Sequence, residues 1–233
     1  MQLVLRSSLF ISSFPLQQVP TLDMYITKLA TPVPLNGLSD VFKSKRLLYR
    51  PLEDSPEHKN FLEKEIWSDP ATMAYGTPFM LGPTSKQRGE ERVHGMTNAK
   101  NWLACLVCLP PLHENQASTP IGFVALSNSS SQHIRIATLS ICIISSYQSK
   151  GYGNETLNWA TDWAFSFANV HRLDLSVNSF NSRAIQLYKR LGFKEEGRRR
   201  EMVFFGNQYY DLIDMSILRR EWSAKRNDAL TIG

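Results

Sequence analysis

The chain has 233 residues, 42% hydrophobic and 11% aromatic, enough to bury one domain's core and to exclude wholesale disorder. Lys and Arg number 26 against 21 Asp and Glu, a net charge of +5, which is mild for a nucleic-acid binder. No run of about 18 apolar residues suggests a spanning helix, and three cysteines do not make a disulfide scaffold in a chain this long.

Residues 1–22 carry one Arg, several Ser and no acid. They read as an organellar presequence or as a leader that a start at Met24 would omit. The protein is expected in the cytoplasm, or in the mitochondrion if residues 1–22 are a presequence. Residues 1–44, with Pro32, Pro34 and Gly37, are expected to form a poorly ordered N-terminal extension. The folded domain is predicted over 45–222, with 223–233 as a C-terminal tail. Arg46–Pro51 reads as a strand. Pro56–Trp67 reads as a helix with Phe61, Leu62, Ile66 and Trp67 on its apolar side and Pro56 in its first turn. Asp69–Leu81 is turn-rich and aromatic, and Thr84–Asn98 is polar, helix or loop. Asn101–Cys108 and Ile121–Ser127 read as strands around the loop PPLHENQASTP. Cys105 and Cys108 form a C-x-x-C without a second ligand pair. Together with Cys142 they read as reduced core residues, and no metal site is predicted.

Ile134–Ile144 is rich in β-formers, and a glycine-bearing segment breaks it at 148–153. Asn154–Phe167 places Leu157, Ala160, Ala164 and Phe167 at helical spacing. Arg172–Val177 alternates as a strand does. Asn181–Leu191 reads as a short helix, with Ala184, Ile185, Tyr188 and Leu191 on one stripe and Gly192 placed as a left-handed C-cap. Arg198–Arg200 read as a solvated turn before a hairpin of Met202–Phe205 and Gln208–Leu218 around Gly206-Asn207. The order predicts a mixed α/β (α+β) domain.

The segment Gln148-Ser149-Lys150-Gly151-Tyr152-Gly153 joins a strand to a helix. Its glycines allow a close backbone approach, and the helix beginning at Asn154 offers unpaired N–H groups and its positive dipole end. That combination suits a pyrophosphate. It is neither the dinucleotide fingerprint, since 156 is Thr, nor a Walker A loop.

The next segment, VNSFNSRAIQLYKRLGF, contains Asn178, Asn181, Arg183 and Tyr188. With Q-x-x-G-x-G, N-S-R-A-I-Q-L-Y and L-G-F-K-E-E-G together, the chain resembles the GNAT superfamily of acyl-CoA-dependent N-acyltransferases. The ending GNQYYDLIDMSILRREW, and RLLYRPLEDS and WSDPATMAYG earlier, are similar to its ribosomal-protein N-terminal acetyltransferase branch. The resemblance covers about 45–222 and is strongest over 139–218.

That resemblance implies a mostly antiparallel sheet flanked by helices, with the fourth and fifth strands splayed around acetyl-CoA. Backbone groups of Ile141, Cys142 and Ile143 would pair with the pantetheine arm. The loop Gln148, Ser149, Lys150, Gly151, Tyr152, Gly153 and Asn154 would hold the pyrophosphate. Asn181 would bond the arm, Arg183 would lie near the CoA phosphates, and Tyr188 would protonate the leaving thiolate. The implied activity is direct acetyl transfer to a primary amine, with a small-molecule acceptor as the main expectation. A protein N-terminus and a non-catalytic CoA-binding module are the alternatives. No nucleic-acid, membrane or metal partner is expected, and the protein is expected to be a monomer or homodimer. The branch's carboxylate base has no counterpart in Ala137-Thr138-Leu139-Ser140. Asp211, Glu65 or a water relay could replace it. Trp67, Tyr75 and Phe79 fall in the segment expected to wall the acceptor. Glu53, Asp54, Glu57, Glu63 and Glu65 would suit a cationic acceptor such as a polyamine.

Overall fold

A computed structural model describes residues 40–76, 82, 85–98, 101–113, 115–128 and 134–231. The expectations for residues 1–39 and for Phe79 lie outside the described residues. Seven strands form one sheet: β1 Leu48–Pro51, β2 Asn101–Leu109, β3 Thr119–Asn128, β4 Ile136–Ile143, β5 Arg172–Asn178, β6 Lys194–Phe205 and β7 Gln208–Leu218, in the order β1-β2-β3-β4-β5-β7-β6. Every neighbouring pair is antiparallel except β4 and β5.

Alternation along β2 assigns the two faces. Leu103, Cys105 and Val107 enter one core, together with Tyr49, Leu157, Ala160 and Phe165. Leu106 and Cys108 enter the other, with Leu62, Ile66, Trp67 and Val93. The first face is covered by α4, Tyr152–Ser166. The second is covered by α1 (Pro56–Phe61, passing into a π-turn at Leu62–Trp67) and α3 (Lys86–Thr97). Side chains three apart on a strand point to opposite faces, so Cys105 and Cys108 lie in different cores and cannot converge on one metal or one disulfide. Both are free and buried.

Two segments gained more helix than their sequence patterns suggested. Within the turn-rich 69–81 stretch, Pro70–Gly76 forms α2, because Asp69 accepts the N–H groups of Ala71 and Thr72. Ser85 opens α3 in the same way by accepting from Arg88 N–H. Such caps satisfy donors that the helix itself leaves free. The arginines at 198–200 belong to β6 rather than to a turn. The correction has a physical reason. β6 is the outermost strand and almost wholly exposed, so its sequence carries no apolar alternation. Its arginines instead meet acids: Arg198 reaches Glu195 and Arg199 reaches Asp214, each at 2.6 Å.

The remaining helices are α5, Ser182–Leu191, and α6, Arg219–Thr231. α6 runs through the boundary expected at 222, and its Trp222 donates to Asp162 on α4 at 2.8 Å.

Gly192 closes α5 at φ 102°, with its N–H bonded to Lys189 and the Phe193 N–H bonded to Tyr188. The sequence predicted a left-handed C-cap at Gly192, and the bonds around it make the Schellman pattern. Gly206 and Asn207 both take positive φ, 57° and 64°, the geometry that matches the twist of a two-residue hairpin.

Candidate active site

β4 and β5 pair only through Ile136–Arg172, Ala137–Leu173 and Thr138–Asp174. Past Thr138 the strands part, and a cleft of about 650 Å³ opens between them. Ile141, Cys142 and Ile143 line one side, and Ser176, Val177 and Asn178 the other. β4 keeps its antiparallel ladder to β3 on its far edge. The close approach of β3 there depends on Gly122, where a Cβ would come within 2.1 Å of the Cys142 carbonyl oxygen.

The glycine-bearing loop closes one end of the cleft. Ser149 and Gly151 adopt left-handed φ of 65° and 85°. No side chain caps α4 at Gly151, so its first N–H groups are available to an anion. Gln148, Ser149, Gly151, Gly153 and Asn154 line the cleft, but Lys150 and Tyr152 do not. The Lys150 ammonium donates to the Ser146 carbonyl at 2.9 Å and lies 4.9 Å from the centre of the Tyr147 ring. Tyr152 packs under the Arg46 guanidinium at 4.6 Å. The Gln148 side chain donates to the Ile143 carbonyl at 2.9 Å, tying the loop to the end of β4.

A clamp that the sequence reading did not foresee holds this loop. Glu155, in the first turn of α4, accepts from Ser44 Oγ at 2.7 Å, Arg46 N at 2.6 Å and Arg46 Nε at 2.7 Å. Arg46 also donates to the Lys150 carbonyl at 3.1 Å. Burial alone would raise the Glu155 pKa, but the Ser44 hydroxyl and the two Arg46 donors hold it below the usual carboxylate range. An acid in a first helical turn was the available signal. Nothing local indicated its partners more than a hundred residues earlier.

α5 supplies the opposite wall. Asn181 caps it by accepting from Ala184 N–H at 3.1 Å, and its amide donates to the Tyr75 carbonyl at 3.1 Å. The side chain expected to meet the pantetheine arm is therefore already bonded at both ends, while the residue still lines the cleft. Arg183 also lines it. Tyr188 opens partly to the cleft, yet its phenol is pushed up to about 12, first by burial and then by the nearby Cys142. The Cys142 thiol is pushed up to about 12 by burial, so it stays a neutral, poorly nucleophilic thiol. Asn178 is 3% exposed and its Oδ1 has no hydrogen-bond partner.

The acceptor-side expectations divide. Tyr75 lines the cleft. Trp67 does not; it belongs to the second core, with the Arg92 guanidinium 5.4 Å from its ring centre. Neither suggested base lines the cleft. Glu65 is exposed on the π-turn, and Asp211 accepts from Glu201 N–H at 3.1 Å with Arg198 3.7 Å away. Glu53, Asp54, Glu57 and Glu63 are also absent from its lining; Asp54 instead pairs with Lys59 at 2.5 Å. The acids lie close together in sequence, Glu53 and Asp54 before α1 and the others on α1 or its π-turn, but none of them lines the cleft. Phe180 was missed, and it stacks on Phe205 at 5.1 Å beside Tyr210 and Tyr75. Among the described residues, no group of three or more His, Cys, Asp or Glu could hold a metal ion. No described helix is long and apolar enough to cross a membrane.

Comparison with known proteins fits this geometry. The spermidine N(1)-acetyltransferase of Vibrio cholerae is 34% identical over 109 residues, covering 47% of this chain and 62% of that protein. A putative ribosomal N-acetyltransferase of Bacillus subtilis, YdaF, is 26% identical over 105 residues, covering 45% and 57% respectively. The chain thus spans about three fifths of the length of these curated relatives. A crystal structure of the Vibrio cholerae spermidine N-acetyltransferase with CoA and spermine superposes with a TM-score of 0.66 at 25% identity, covering 77% of this chain and 99% of that one. The family model for the acetyltransferase (GNAT) domain matches residues 46–194. A splayed β4–β5 pair leading to an uncapped helix start, within a sequence that matches over that span, makes this chain a member of the GNAT acetyltransferase family.

Proposed function

We propose that the protein transfers an acetyl group from acetyl-CoA directly to the primary amine of a small molecule. The observation that carries this reading is a single cleft containing the free edge of β4, the uncapped start of α4 and the phenol of Tyr188. The names of the relatives support N-acetyl transfer, and that of the spermidine N(1)-acetyltransferase supports a small-molecule acceptor. The solved neighbour holds CoA together with a small polyamine.

Each part then has a chemical task. Backbone groups of Ile141–Ile143, beyond the end of the β4–β5 ladder, bond the amides of the pantetheine arm, although the Ile143 carbonyl already accepts from the Gln148 side chain. N–H groups from Ser149 to Asn154 hold the pyrophosphate. Lys150 and Tyr152 act behind that loop, bracing it, rather than on the phosphates. Arg183, on the opposite wall, adds a cation near them. Asn181 fixes the start of α5 and so the placement of Tyr188 seven residues later.

The neutral amine attacks the thioester carbonyl. A strand N–H stabilises the tetrahedral oxyanion, and Tyr188 donates a hydrogen bond and then a proton to the departing sulfur. A phenol near 12 remains protonated throughout the neutral range. The apolar walls that raise it also raise the basicity of a thiolate beside it, which keeps the proton transfer matched. Direct transfer is supported by Cys142, whose thiol is held neutral. The base is a water relay, since neither Asp211 nor Glu65 lines the cleft.

Free-thiol release from acetyl-CoA, measured against panels of small amines and of short peptides, tests this reading. Stimulation by small amines is expected. Stimulation by peptides alone would transfer the assignment to a protein N-terminus, and CoA binding without release from any panel would overturn the enzymatic reading.

A further inference from the structure

The phosphate end of the cleft and the β4 edge are accounted for, and one wall remains. It is formed by Tyr75, from the end of α2, and by Phe180 and Asn178, from the junction of β5 and α5. This wall is rigid. The Asn181 side chain ties the Tyr75 carbonyl to α5. Phe205 stacks on one face of Phe180 at 5.1 Å, and Tyr210 meets it edge to face at 4.8 Å.

Two properties of this wall bear on what it recognises. Its body is aromatic, and one face of Phe180 is already covered by Phe205, which reduces what it can offer a cation. Its polar element is the Asn178 side-chain amide oxygen, Oδ1, buried without a partner. A buried acceptor of this kind costs stability until an N–H donor reaches it. The charged groups among the described residues that line the cleft are Arg183 and Arg190, both cationic.

The geometry points to Tyr75, Phe180 and Asn178 as the acceptor subsite, taking a primary amine with one nitrogen and an aromatic-sized apolar body in preference to a linear polyamine. Asn178 Oδ1 accepts from the amine N–H, and the hydrocarbon body lies against Phe180 and Tyr75. A polyamine would bring one or two further ammonium groups to a wall without a counter-charge, which is unfavourable. This inference rests on the transferase reading above and narrows its substrate class.

The test compares 2-phenylethylamine, n-propylamine and spermidine as acceptors for the full chain. kcat/KM is expected to be at least about tenfold higher for 2-phenylethylamine than for either other amine. Phe180→Ala should remove roughly tenfold of the preference for 2-phenylethylamine over n-propylamine, and Phe180→Leu, which keeps apolar volume if the alanine variant misfolds, should remove part of it. Asn178→Ala should raise KM for both monoamines and leave KM for acetyl-CoA unchanged. Spermidine as the best acceptor, an equal loss for both monoamines in both Phe180 variants, or a raised KM for acetyl-CoA in Asn178→Ala would each overturn the proposal. If no amine is acetylated, the transferase reading fails separately. Calorimetric titration of 2-phenylethylamine into the CoA-saturated protein then decides the subsite: binding that weakens in the Phe180 variants supports it, and no binding overturns it.

Discussion

The two ends of the cleft are built on opposite principles. The phosphate end is polar and held by distant chain: Ser44 and Arg46 reach Glu155, and Arg46 spans to Lys150. The other end is aromatic and held by packing, with Phe180 supported by Phe205 and Tyr210. A ligand of fixed chemistry needs backbone donors in fixed places, which a network of charge-assisted hydrogen bonds supplies. An acceptor subsite needs shape, and stacked rings give shape with little side-chain entropy to lose. The contrast suggests that substitutions at one end should change acetyl-CoA parameters and substitutions at the other should change amine parameters.

Five variants can break or sharpen that division. The largest effect is expected from Tyr188→Phe, which sits between the two ends. Loss of a general acid typically costs on the order of a hundredfold or more in turnover, so kcat should fall by about that factor while acetyl-CoA affinity, read by calorimetry, stays near the parent value. Unchanged kcat would remove the assigned role. Because the phenol is raised to about 12, the parent pH profile should show no falling limb from Tyr188 below about pH 11.

Next comes Gly122→Ala. A new Cβ 2.1 Å from a backbone carbonyl forces β3 and β4 apart, so thermal stability should fall by about 1–3 kcal/mol. KM for acetyl-CoA should rise, because the displaced strand is the one that lines the cleft. A variant with parent stability and parent KM would show that β4 adjusts freely.

Arg46→Ala should act on the phosphate end alone, raising KM for acetyl-CoA several-fold with little change in the amine KM. An equal rise in both would mean that the two ends are not independent. The linkage sign is set by Glu155. Its folded pKa lies below the usual range, so its stabilising contribution is present above the unfolded carboxylate pKa and is lost as pH falls through the folded value. Acid melts of Glu155→Gln and the parent should therefore converge at low pH and separate near neutrality.

The smallest effect is expected from Asn181→Ala. Loss of an N-cap costs about 1 kcal/mol, and with the link to Tyr75 gone it should lower kcat modestly through Tyr188. A rise in KM for acetyl-CoA much larger than the fall in kcat would instead support the direct contact with the pantetheine arm that the family resemblance implies.

Legibility in the sequence followed the range of the interactions. Gly192 was readable as a helix stop because one residue's backbone freedom decides it, and the Gly206-Asn207 turn for the same reason. The loop at 148–154 and Tyr188 were readable through the family's motif, which lies within one continuous stretch. Lys150 shows the limit of that approach. Its place in the loop was legible, but its direction, toward Ser146 and Tyr147, depends on packing. Arg46 and Phe180 were missed because their roles depend on partners far away in sequence. The acids of 53–65 misled for the converse reason: adjacency in sequence, before and along α1, did not bring them to the cleft. β6 was shortened because an outer strand buries too little to leave a pattern.

The three residue pairs that join β4 to β5 have a mechanical consequence. They form a spine between two half-sheets, β1 to β4 on one side and β5, β7 and β6 on the other. Beyond the spine the β4 backbone is an internal edge, sheltered from the strand-to-strand aggregation to which outer edges are prone. On the proposed reading, a pantetheine arm laid along it would serve as a short surrogate strand that stitches the halves together. Cosubstrate concentration would then set fold stability as well as rate: if the proposed activity holds, the protein should be hardest to melt when acetyl-CoA is plentiful and should soften as that pool is drained.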